Sequence, residues 1–393
     1  MNRNKVFIIA SVFLFVFILF ILVFLLRPWK PSFARLKGGK GFNFILITVD
    51  TLRADRIGCY GFQWIDTPFI DLFASRGIKF TRCIAQTPLT LPSHTSLLTG
   101  TLPLFHGVRD NGGFIVPPEL KTLAELFKEN GYETAAFVGA YVLDSKWGLN
   151  QGFDYYFDQF DLSRFEKVSL ATVQRPGNEV MDEALTWLEK KKQKKFFAWI
   201  HLYDPHTPYE PPPPFDKKYR HPYLGEIAFA DSQLGRLWEF LKANDLIQNS
   251  FLIFASDHGE SLGQHRESTH GFFVYQEAIH VPLIFVTPFE KLQGTSSAQV
   301  VSLVDVMPTM LEMARISIPA QVQGKSLVPL FFKPEKKLDS YAYSETFYPR
   351  FHYGWSELKT IQGDKYKLII APEPELYDLT KDPKEEENLA SSE

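Results

Sequence analysis

The stretch "FNFILITVD", residues 42–50, is a largely apolar run that ends on a carboxylate. Its length and its β-branched residues predict a strand that is buried on both faces. Strands of this kind belong to sheets that are covered by helices on both sides. The stretch therefore predicts a layered α/β fold, with Asp50 at the carboxyl edge of the sheet.

Four other stretches have the same character and alternate with helical patterns. They are "YETAAFVGA" (132–140), "KFFAWIHLY" (195–203), "SFLIFASDHGE" (250–260) and "VPLIFVTP" (281–288). This alternation predicts a parallel sheet flanked by helices. Because ligands collect at the carboxyl ends of strands in such sheets, we expect Asp50, the segment His201–His206 and the pair Asp257–His258 to converge on one crevice.

The overall composition is that of a folded globular protein. Of the 393 residues, 45% are hydrophobic and 22% are charged, and the formal net charge is -3. The sequence has no strongly basic character, no zinc-finger spacing and no RNA-binding aromatic motif. We therefore expect no nucleic-acid partner.

The first 40 residues differ from the rest of the chain. The run Val6–Leu26 has Ser11 as its only polar residue, and about 21 residues span about 31 Å as a helix. The run ends in "LLRPWK", without the small-residue cleavage site of a signal peptide. We expect an uncleaved, single-pass membrane anchor. More basic residues follow the run than precede it, so the charge rule alone favours a cytoplasmic main domain.

The segment "ASDHGESLGQHRESTHG", residues 255–271, combines Asp257 with three histidines, His258, His265 and His270. One histidine alone would carry no functional meaning, because most histidines are ordinary surface or half-buried residues. A cluster that directly follows a strand is different, since carboxylates and imidazoles are ligands for divalent metal ions. The segment therefore predicts a metal site.

The segment "TPLTLPSHTSLLTG", residues 87–100, predicts a short helix that follows a loop. Pro92 suits a first helical turn, and Gly100 is typical of the residue that ends a helix. Taken alone, the pattern is explained by helix formation without any chemistry at Thr90.

Eight segments, in order, resemble the motifs of the sulfatases, a family of the alkaline-phosphatase superfamily. They are "ILITVDTLRADRIGCYG", "TLPSHTSLLTG", "HGVRDNG", "DPHTPYEPP", "SDHGESLGQH", "THGFFVYQEAIHVPLIF", "VDVMPTML" and "YKLI…ELYDLTKDPKEEENLA". The resemblance covers nearly all of residues 42–390. It implies an alkaline-phosphatase-like α/β fold, a small C-terminal subdomain and a metal-activated nucleophile in an active site on the export side of the membrane.

The resemblance also implies the principal site residues. Asp50 matches the first metal-binding aspartate of the family, and Asp257 with His258 matches the later metal-binding pair. Thr90 occupies the position of the cysteine or serine that sulfatases oxidise to formylglycine, which implies that Thr90 is the nucleophile.

Four further residues are implied to face the substrate. His206 matches a family histidine near the transferred group, and His270 lies about where a family lysine contacts substrate oxygens, so both are expected to be catalytic. Asn111 matches a polar residue that lines the pocket. His94 stands in place of the family arginine, and we expect it to bind substrate with Asn111.

The sequence departs from the sulfatase pattern at three places. The motif Cys-x-Pro-Ser-Arg becomes "TLPSH" (90–94), the second metal aspartate becomes Thr51, and Gly-Lys-Trp-His becomes "GAYV" (139–142). A formylglycine hydrate expels sulfate by collapsing to the aldehyde, but a threonine has no second hydroxyl. Its ester must be attacked by water or by an alcohol. Threonine nucleophiles in this superfamily transfer phosphorus groups, which favours phosphate over sulfate.

Three functions remain open at this point. The first is a membrane-anchored, metal-dependent hydrolase of phosphate or sulfate esters, the second a transferase of phospho-headgroups between envelope lipids or glycans, and the third a non-catalytic binding module. The hydrolase is favoured because Asp50, Thr90, Asp257 and His258 are chemically intact. Its substrate would be a phosphate or sulfate ester, with a lipid or glycan as a candidate carrier.

We expect one divalent ion, Zn²⁺, Mn²⁺, Ca²⁺ or Mg²⁺, held by Asp50, Asp257 and His258 beside Thr90. A second ion would need other ligands, and the candidates are Asp204, His206, His265 and His270.

The predicted domains are an anchor with a basic linker (1–40), a catalytic domain (41–335) and a strand-rich C-terminal subdomain (336–393). The implied localisation is a single-pass membrane protein with its catalytic domain on the periplasmic or extracellular side.

Overall fold

The computed structural model describes residues 41–165, 169–170, 173–338 and 341–390. Residues Gly39–Glu393 form one compact unit. The predicted membrane segment Val6–Leu26 lies outside the described residues. Within the described ranges, no helix combines the length and the apolar character needed to cross a membrane.

Within the described residues, twelve strands form two sheets. The main sheet has eight strands in the order β4-β3-β5-β1-β6-β7-β2-β8. Its strands are β1 (Asn43–Val49), β2 (Gly77–Ile84), β3 (Glu133–Val138), β4 (Tyr155–Phe157), β5 (Phe196–Leu202), β6 (Ser250–Ser256), β7 (His280–Val286) and β8 (Thr295–Ser302). The second sheet, in the order β12-β11-β10-β9, is antiparallel and contains β9 (Ala342–Thr346), β10 (Leu358–Gln362), β11 (Tyr366–Ile370) and β12 (Glu375–Asp378).

Eleven α-helices lie in the described part of the chain. They are α1 (Pro68–Ser75), α2 (Thr90–Thr99), α3 (Pro103–His106), α4 (Leu123–Glu129), α5 (Gly177–Lys191), α6 (Phe215–Lys218), α7 (Pro222–Ala243), α8 (Gln276–Ile279), α9 (Val306–Ala314), α10 (Val328–Phe332) and α11 (Tyr348–Tyr353).

The main sheet is mixed, which corrects the prediction of a parallel sheet. Strand β7 is antiparallel to both of its neighbours, β6 and β2, whereas the other neighbouring pairs are parallel. The physical reason is the connection that precedes β7. A parallel strand needs a crossover past the sheet, but residues 257–279 contain only one helical turn and the short helix α8. The chain therefore re-enters the sheet from the edge at which β6 ended.

The alternation of side chains in β1 explains why helices cover both faces of the sheet. Ile45, Ile47 and Val49 belong to a core that includes buried residues of α5 and α7. The intervening Phe44 packs on Phe127 of α4, with ring centroids 5.0 Å apart, and so faces the opposite layer. This burial on both faces confirms the prediction made from residues 42–50.

The C-terminal sheet agrees with the strand-rich pattern predicted for residues 336–393. Its strand β9 joins the end of β2, because Glu345 N donates to Gln86 O at 2.9 Å and Ser344 Oγ donates to Ala85 O at 2.6 Å. The boundary at residue 335 stays a prediction.

Candidate active site

The site lies where three neighbouring parallel strands end. In the middle of the sheet, β1 lies between β5 and β6, with Thr48 opposite His201 and Val49 opposite Ser256. Asp50 N donates to Leu202 O at 2.9 Å, which continues the pairing by one residue. The residues that follow β1 and β6 are therefore brought together, as the sequence predicted.

Asp50, Asp257 and His258 form a fully buried cluster. His258 Nε2 lies 3.6 Å from Asp50 Oδ1 and 3.6 Å from Asp257 Oδ2, distances that are too long for hydrogen bonds. Among the described residues, no side chain or backbone group makes a hydrogen bond of good geometry to either oxygen of Asp50 or to Asp257 Oδ2. Such groups are costly to bury unless a cation compensates them. The three residues offer ligand atoms within 4.8 Å of one another and fit a divalent metal ion.

Local hydrogen bonds aim these ligands at a common point. Asp257 Oδ1 accepts from His258 N at 2.8 Å and from Thr51 N at 3.2 Å, which leaves Oδ2 facing His258. Thr51 has a φ of 53°, so the turn after β1 passes through the left-handed region. His258 Nδ1 lies 3.0 Å from Gly259 O and must donate to it. The lone pair of His258 is therefore on Nε2, as in a metal ligand.

The protonation of the cluster is shifted by burial. Burial raises the pKa of Asp50 to about 7. Burial, together with the neighbouring Asp50 charge, raises the pKa of Asp257. Burial lowers the pKa of His258 and keeps its ring neutral. A bound cation would offset the cost of holding both carboxylates charged.

Thr90 is the first residue of α2 and lies beside this cluster. Its Oγ1 is 3.3 Å from His258 Nε2, and the side chain is buried. Helix α2 ends at Gly100, which has a φ of 64°, so the predicted helix is confirmed. Asn111 Oδ1 accepts from Leu91 N at 2.8 Å and so fixes the start of the helix next to Thr90.

His94 lies behind Thr90 and does not line an open pocket. Its Nδ1 donates to Thr90 O at 2.8 Å. Because the neutral ring carries its proton on Nδ1, Nε2 accepts from Thr48 Oγ1 at 3.0 Å, and Thr48 Oγ1 accepts in turn from Trp199 Nε1. The ring is fully buried and has no nitrogen free for a substrate. The substrate-binding role expected for His94 does not fit this geometry, which instead holds Thr90 in position.

His206 and His270 lie side by side next to the cluster. Their ring centroids are 5.2 Å apart, and the His270 ring is 4.5 Å from that of His258. Burial lowers the pKa of His206 to about 3. Burial of His270 acts in the same direction, but the carboxylates of Glu260, 3.3 Å from its Nδ1, and of Asp50 and Glu267 together outweigh burial and raise the pKa of His270 to about 9. At neutral pH, a neutral His206 ring therefore lies beside a charged His270 ring.

Two of the residues considered for a second ion have other partners. Asp204 Oδ2 accepts from Gly177 N at 2.8 Å, at the start of α5. His265 pairs with Glu277 and stacks on Tyr275 with ring centroids 3.7 Å apart. Neither contact involves the Asp50 cluster.

Sequence reasoning missed two residues of the site. His201 is fully buried in β5, with its Nε2 3.5 Å from Asp50 Oδ2. Glu260 is fully buried and accepts from Tyr209 OH at 2.9 Å while it faces His270. Both lie in segments that the sequence had marked, but the role of each depends on partners from elsewhere in the chain.

Comparison with known proteins places the whole described chain in one family. The Sulfatase family model matches residues 42–316, and the model for the C-terminal part of N-sulphoglucosamine sulphohydrolase matches residues 268–393. An ulvan-active sulfatase of Formosa agariphila is 27% identical over 400 residues, which cover 88% of this chain and 76% of that protein.

Solved structures share the fold. A phosphonate monoester hydrolase of Agrobacterium radiobacter superposes with a TM-score of 0.77 at 22% identity, covering 89% of this chain and 92% of that one. A protein solved in complex with its substrate, D-glucosamine-2-N,6-O-disulfate, has a TM-score of 0.76 at 22% identity and covers 90% and 94%. The chain belongs to the sulfatase family of the alkaline-phosphatase superfamily and is an ester hydrolase.

Proposed function

We propose that this chain is a metal-dependent hydrolase of phosphate or sulfate esters with Thr90 as its nucleophile. The observation that carries the proposal is the position of Thr90 Oγ1, 3.3 Å from His258 Nε2 and beside the buried carboxylates of Asp50 and Asp257. An alcohol is a weak nucleophile unless a base or a metal ion activates it. A hydroxyl fixed next to a cation site meets that requirement.

Asp50, Asp257 and His258 would hold the ion. When bound, a divalent ion supplies Lewis-acid stabilisation of negative charge on an alcohol oxygen and on the transferred group. The start of α2 adds to this effect, because a helix N-terminus favours negative charge.

Three side chains of the protein would act as nucleophile, general acid and general base. Thr90 Oγ1 forms a bond to phosphorus or sulfur while the bond to the leaving oxygen breaks, and the Thr90 proton passes to solvent. His270, which Glu260 keeps protonated, donates a proton to the leaving oxygen. A water molecule next attacks the Thr90 ester and gives a proton to neutral His206, while the bond between Thr90 and the transferred group breaks and Thr90 takes up a proton from solvent. Exchange with solvent then returns His206 to its neutral form and His270 to its protonated form. Two histidines with opposed pKa shifts suit these acid and base roles.

The substrate class follows from the single hydroxyl of threonine and from the relatives. The second step must be a direct attack on phosphorus or sulfur, which favours phosphate as the transferred group. The structural neighbours named as phosphonate monoester hydrolases and the relatives named as sulfatases support phosphorus and sulfate esters respectively. Neither the site nor the comparisons favour the transferase or the non-catalytic alternative over hydrolysis.

A panel of nitrophenyl esters tests the substrate proposal. We expect the full chain, supplied with Zn²⁺ or Mn²⁺, to turn over phosphate diesters or phosphonate monoesters at least about tenfold faster than the sulfate, a difference of about 1.4 kcal/mol in activation free energy. Nitrophenol release measures all substrates in the same way. Faster turnover of the sulfate ester would contradict the preference for phosphorus, and no turnover of any ester would contradict the hydrolase itself.

We also propose that residues 1–40 anchor the chain in a membrane and that the catalytic domain faces the periplasm or the exterior. The support is the apolar run Val6–Leu26 and the implied export-side site. A reporter fused after Glu393 that works only outside the cytoplasm is expected to be active. Activity of a cytoplasm-only reporter at the same position would contradict this orientation.

A further inference from the structure

An aromatic side chain of the C-terminal part of the chain lies beside His270 and Thr90. A Cβ added to Gly271, the residue after His270, would meet Tyr348 Cγ at 3.4 Å and Leu89 Cδ2 at 3.5 Å. Leu89 directly precedes Thr90 in the sequence. Tyr348, the first residue of α11, therefore reaches the edge of the candidate active site.

Tyr348 belongs to a cluster of four rings, which we call the aromatic rim and which also includes Phe272, Tyr353 and Trp355. The centroid of the Phe272 ring lies 5.1 Å from that of Tyr348, 5.2 Å from that of Tyr353 and 6.0 Å from that of Trp355. Exposure increases along the rim, from a half-buried Tyr348 to 52% for Tyr353 and 61% for Trp355. The rim therefore leads from the buried Thr90 to the solvent.

The proposed reaction brings one part of the substrate to this surface. His270 donates a proton to the leaving oxygen, and the alcohol that carries this oxygen extends from His270 toward the solvent. Gly271 and Phe272 follow His270 in the chain, so the aromatic rim begins where the leaving alcohol lies. Exposed aromatic surface that continues from a reaction site is typical of a ligand-binding groove.

Polar groups within and beside the rim indicate which kind of alcohol fits. They are the hydroxyls of Tyr348 and Tyr353, the indole N–H of Trp355 and the imidazole of His352. His352 stacks on Tyr348 with ring centroids 4.2 Å apart, and its Nε2 donates to Asp110 Oδ2 at 2.8 Å. A pyranose ring has an apolar C–H face for the aromatic rings and a border of hydroxyls for these polar groups. An alkyl chain or a plain arene offers no such hydroxyls.

We propose that the aromatic rim binds the pyranose ring of a sugar, and that this sugar is the leaving alcohol of the ester. The inference rests on the proposed function, because it uses the leaving oxygen of that reaction. It adds the chemical class of the alcohol and assigns its recognition to Phe272, Tyr348, Tyr353 and Trp355.

Esters that differ only in the leaving alcohol test the inference on the full chain. They share the transferred group that reacts fastest in the nitrophenyl panel, and they carry either ethanol or the C6 hydroxyl of a methyl pyranoside of glucose, galactose or glucosamine. Ion chromatography of the released acid measures kcat and KM for every ester. We expect kcat/KM to be at least about tenfold higher for one of the pyranoside esters than for the ethyl ester.

Two variants of the rim separate binding from structural effects. Trp355→Ala and Tyr353→Ala should each lower the ratio of kcat/KM between the pyranoside and ethyl esters by about five- to tenfold. The loss should appear in KM, because the rings bind the sugar equally in the ground state and in the transition state. Trp64→Ala is the matched control, since Trp64 is 77% exposed and lies on the segment that leads into α1. It should keep the wild-type ratio.

Three results would overturn the inference: no preference for any pyranoside ester, an unchanged ratio in both rim variants, or an equal loss on the ethyl and pyranoside esters. The proposed function still stands in these cases if the wild type hydrolyses a nitrophenyl ester, whereas a chain that hydrolyses no ester overturns both. Tyr353 and Trp355 are more than half exposed, so both variants should fold, which circular dichroism checks. If one of them does not fold, the other decides.

Discussion

Replacing Thr90 by alanine is expected to reduce ester turnover by about 10³-fold or more, because the oxygen that we propose to form the covalent ester is lost. The change should leave the fold intact. Alanine is a good helix former at the start of α2, and the hydroxyl faces His258 and Asp50, which belong to the site and not to the packing of the helix. Thr90→Ala should also keep its bound metal ion, since Asp50, Asp257 and His258 remain. Steady-state turnover and metal content, measured on the same preparation, check both statements.

Thr90→Ser is the matched control. It retains the hydroxyl and should keep measurable activity, so the two variants separate loss of the oxygen from loss of the side chain. Wild-type activity in Thr90→Ala would mean that water attacks the substrate directly.

Asp257→Asn and His258→Ala are each expected to remove most of the bound metal and to lower turnover by at least about 10–100-fold. Asp257→Asn replaces the carboxylate that we propose as a ligand by a neutral amide in a fully buried position, and His258→Ala removes the nitrogen that faces both carboxylates. Elemental analysis of the dialysed chain and turnover of a nitrophenyl ester provide the two measurements.

His265→Ala is the control for this pair of variants. It lies in the same segment, but its partners are Glu277, Glu385 and Tyr275. We expect its metal content to stay at the wild-type level. Equal loss of metal in all three variants would contradict a single-ion site built on Asp50, Asp257 and His258.

The middle of the fold could be predicted from sequence because β1, β5 and β6 are continuous apolar runs that end near polar residues. Their burial on both faces makes the pattern visible. The strands β2 and β8 were missed, because "GIKFTRCI" (77–84) and "TSSAQVVS" (295–302) contain polar residues that interrupt such a run. Both lie toward one end of the sheet, where part of each strand reaches solvent.

The apolar pattern that predicts β7 as a strand does not predict its direction. An apolar run predicts that a strand exists, but its direction depends on how the chain returns to the sheet. The segment 257–279, which carries His258, Glu260 and His270, makes no crossover and returns to the sheet at the edge where β6 ends, so β7 runs opposite to its neighbours.

The site was predictable where a residue follows a strand end and less so where its partners are distant. Asp50, Asp257 and His258 follow strand ends directly. His201 is one residue before the end of β5, and its meaning depends on the pairing that sets it opposite Thr48. The role of His94 depends on Thr48 and Trp199, which no local pattern connects to it.

Covalent trapping at Thr90 tests the central claim most directly. The full chain is mixed with a slowly hydrolysed nitrophenyl phosphodiester or phosphonate, quenched in acid during turnover and digested for mass spectrometry. We expect a phosphorus-containing adduct on the peptide with Thr90, matched by a burst of nitrophenol and absent from Thr90→Ala. A burst with unmodified Thr90, or an adduct on a different residue, would contradict the account.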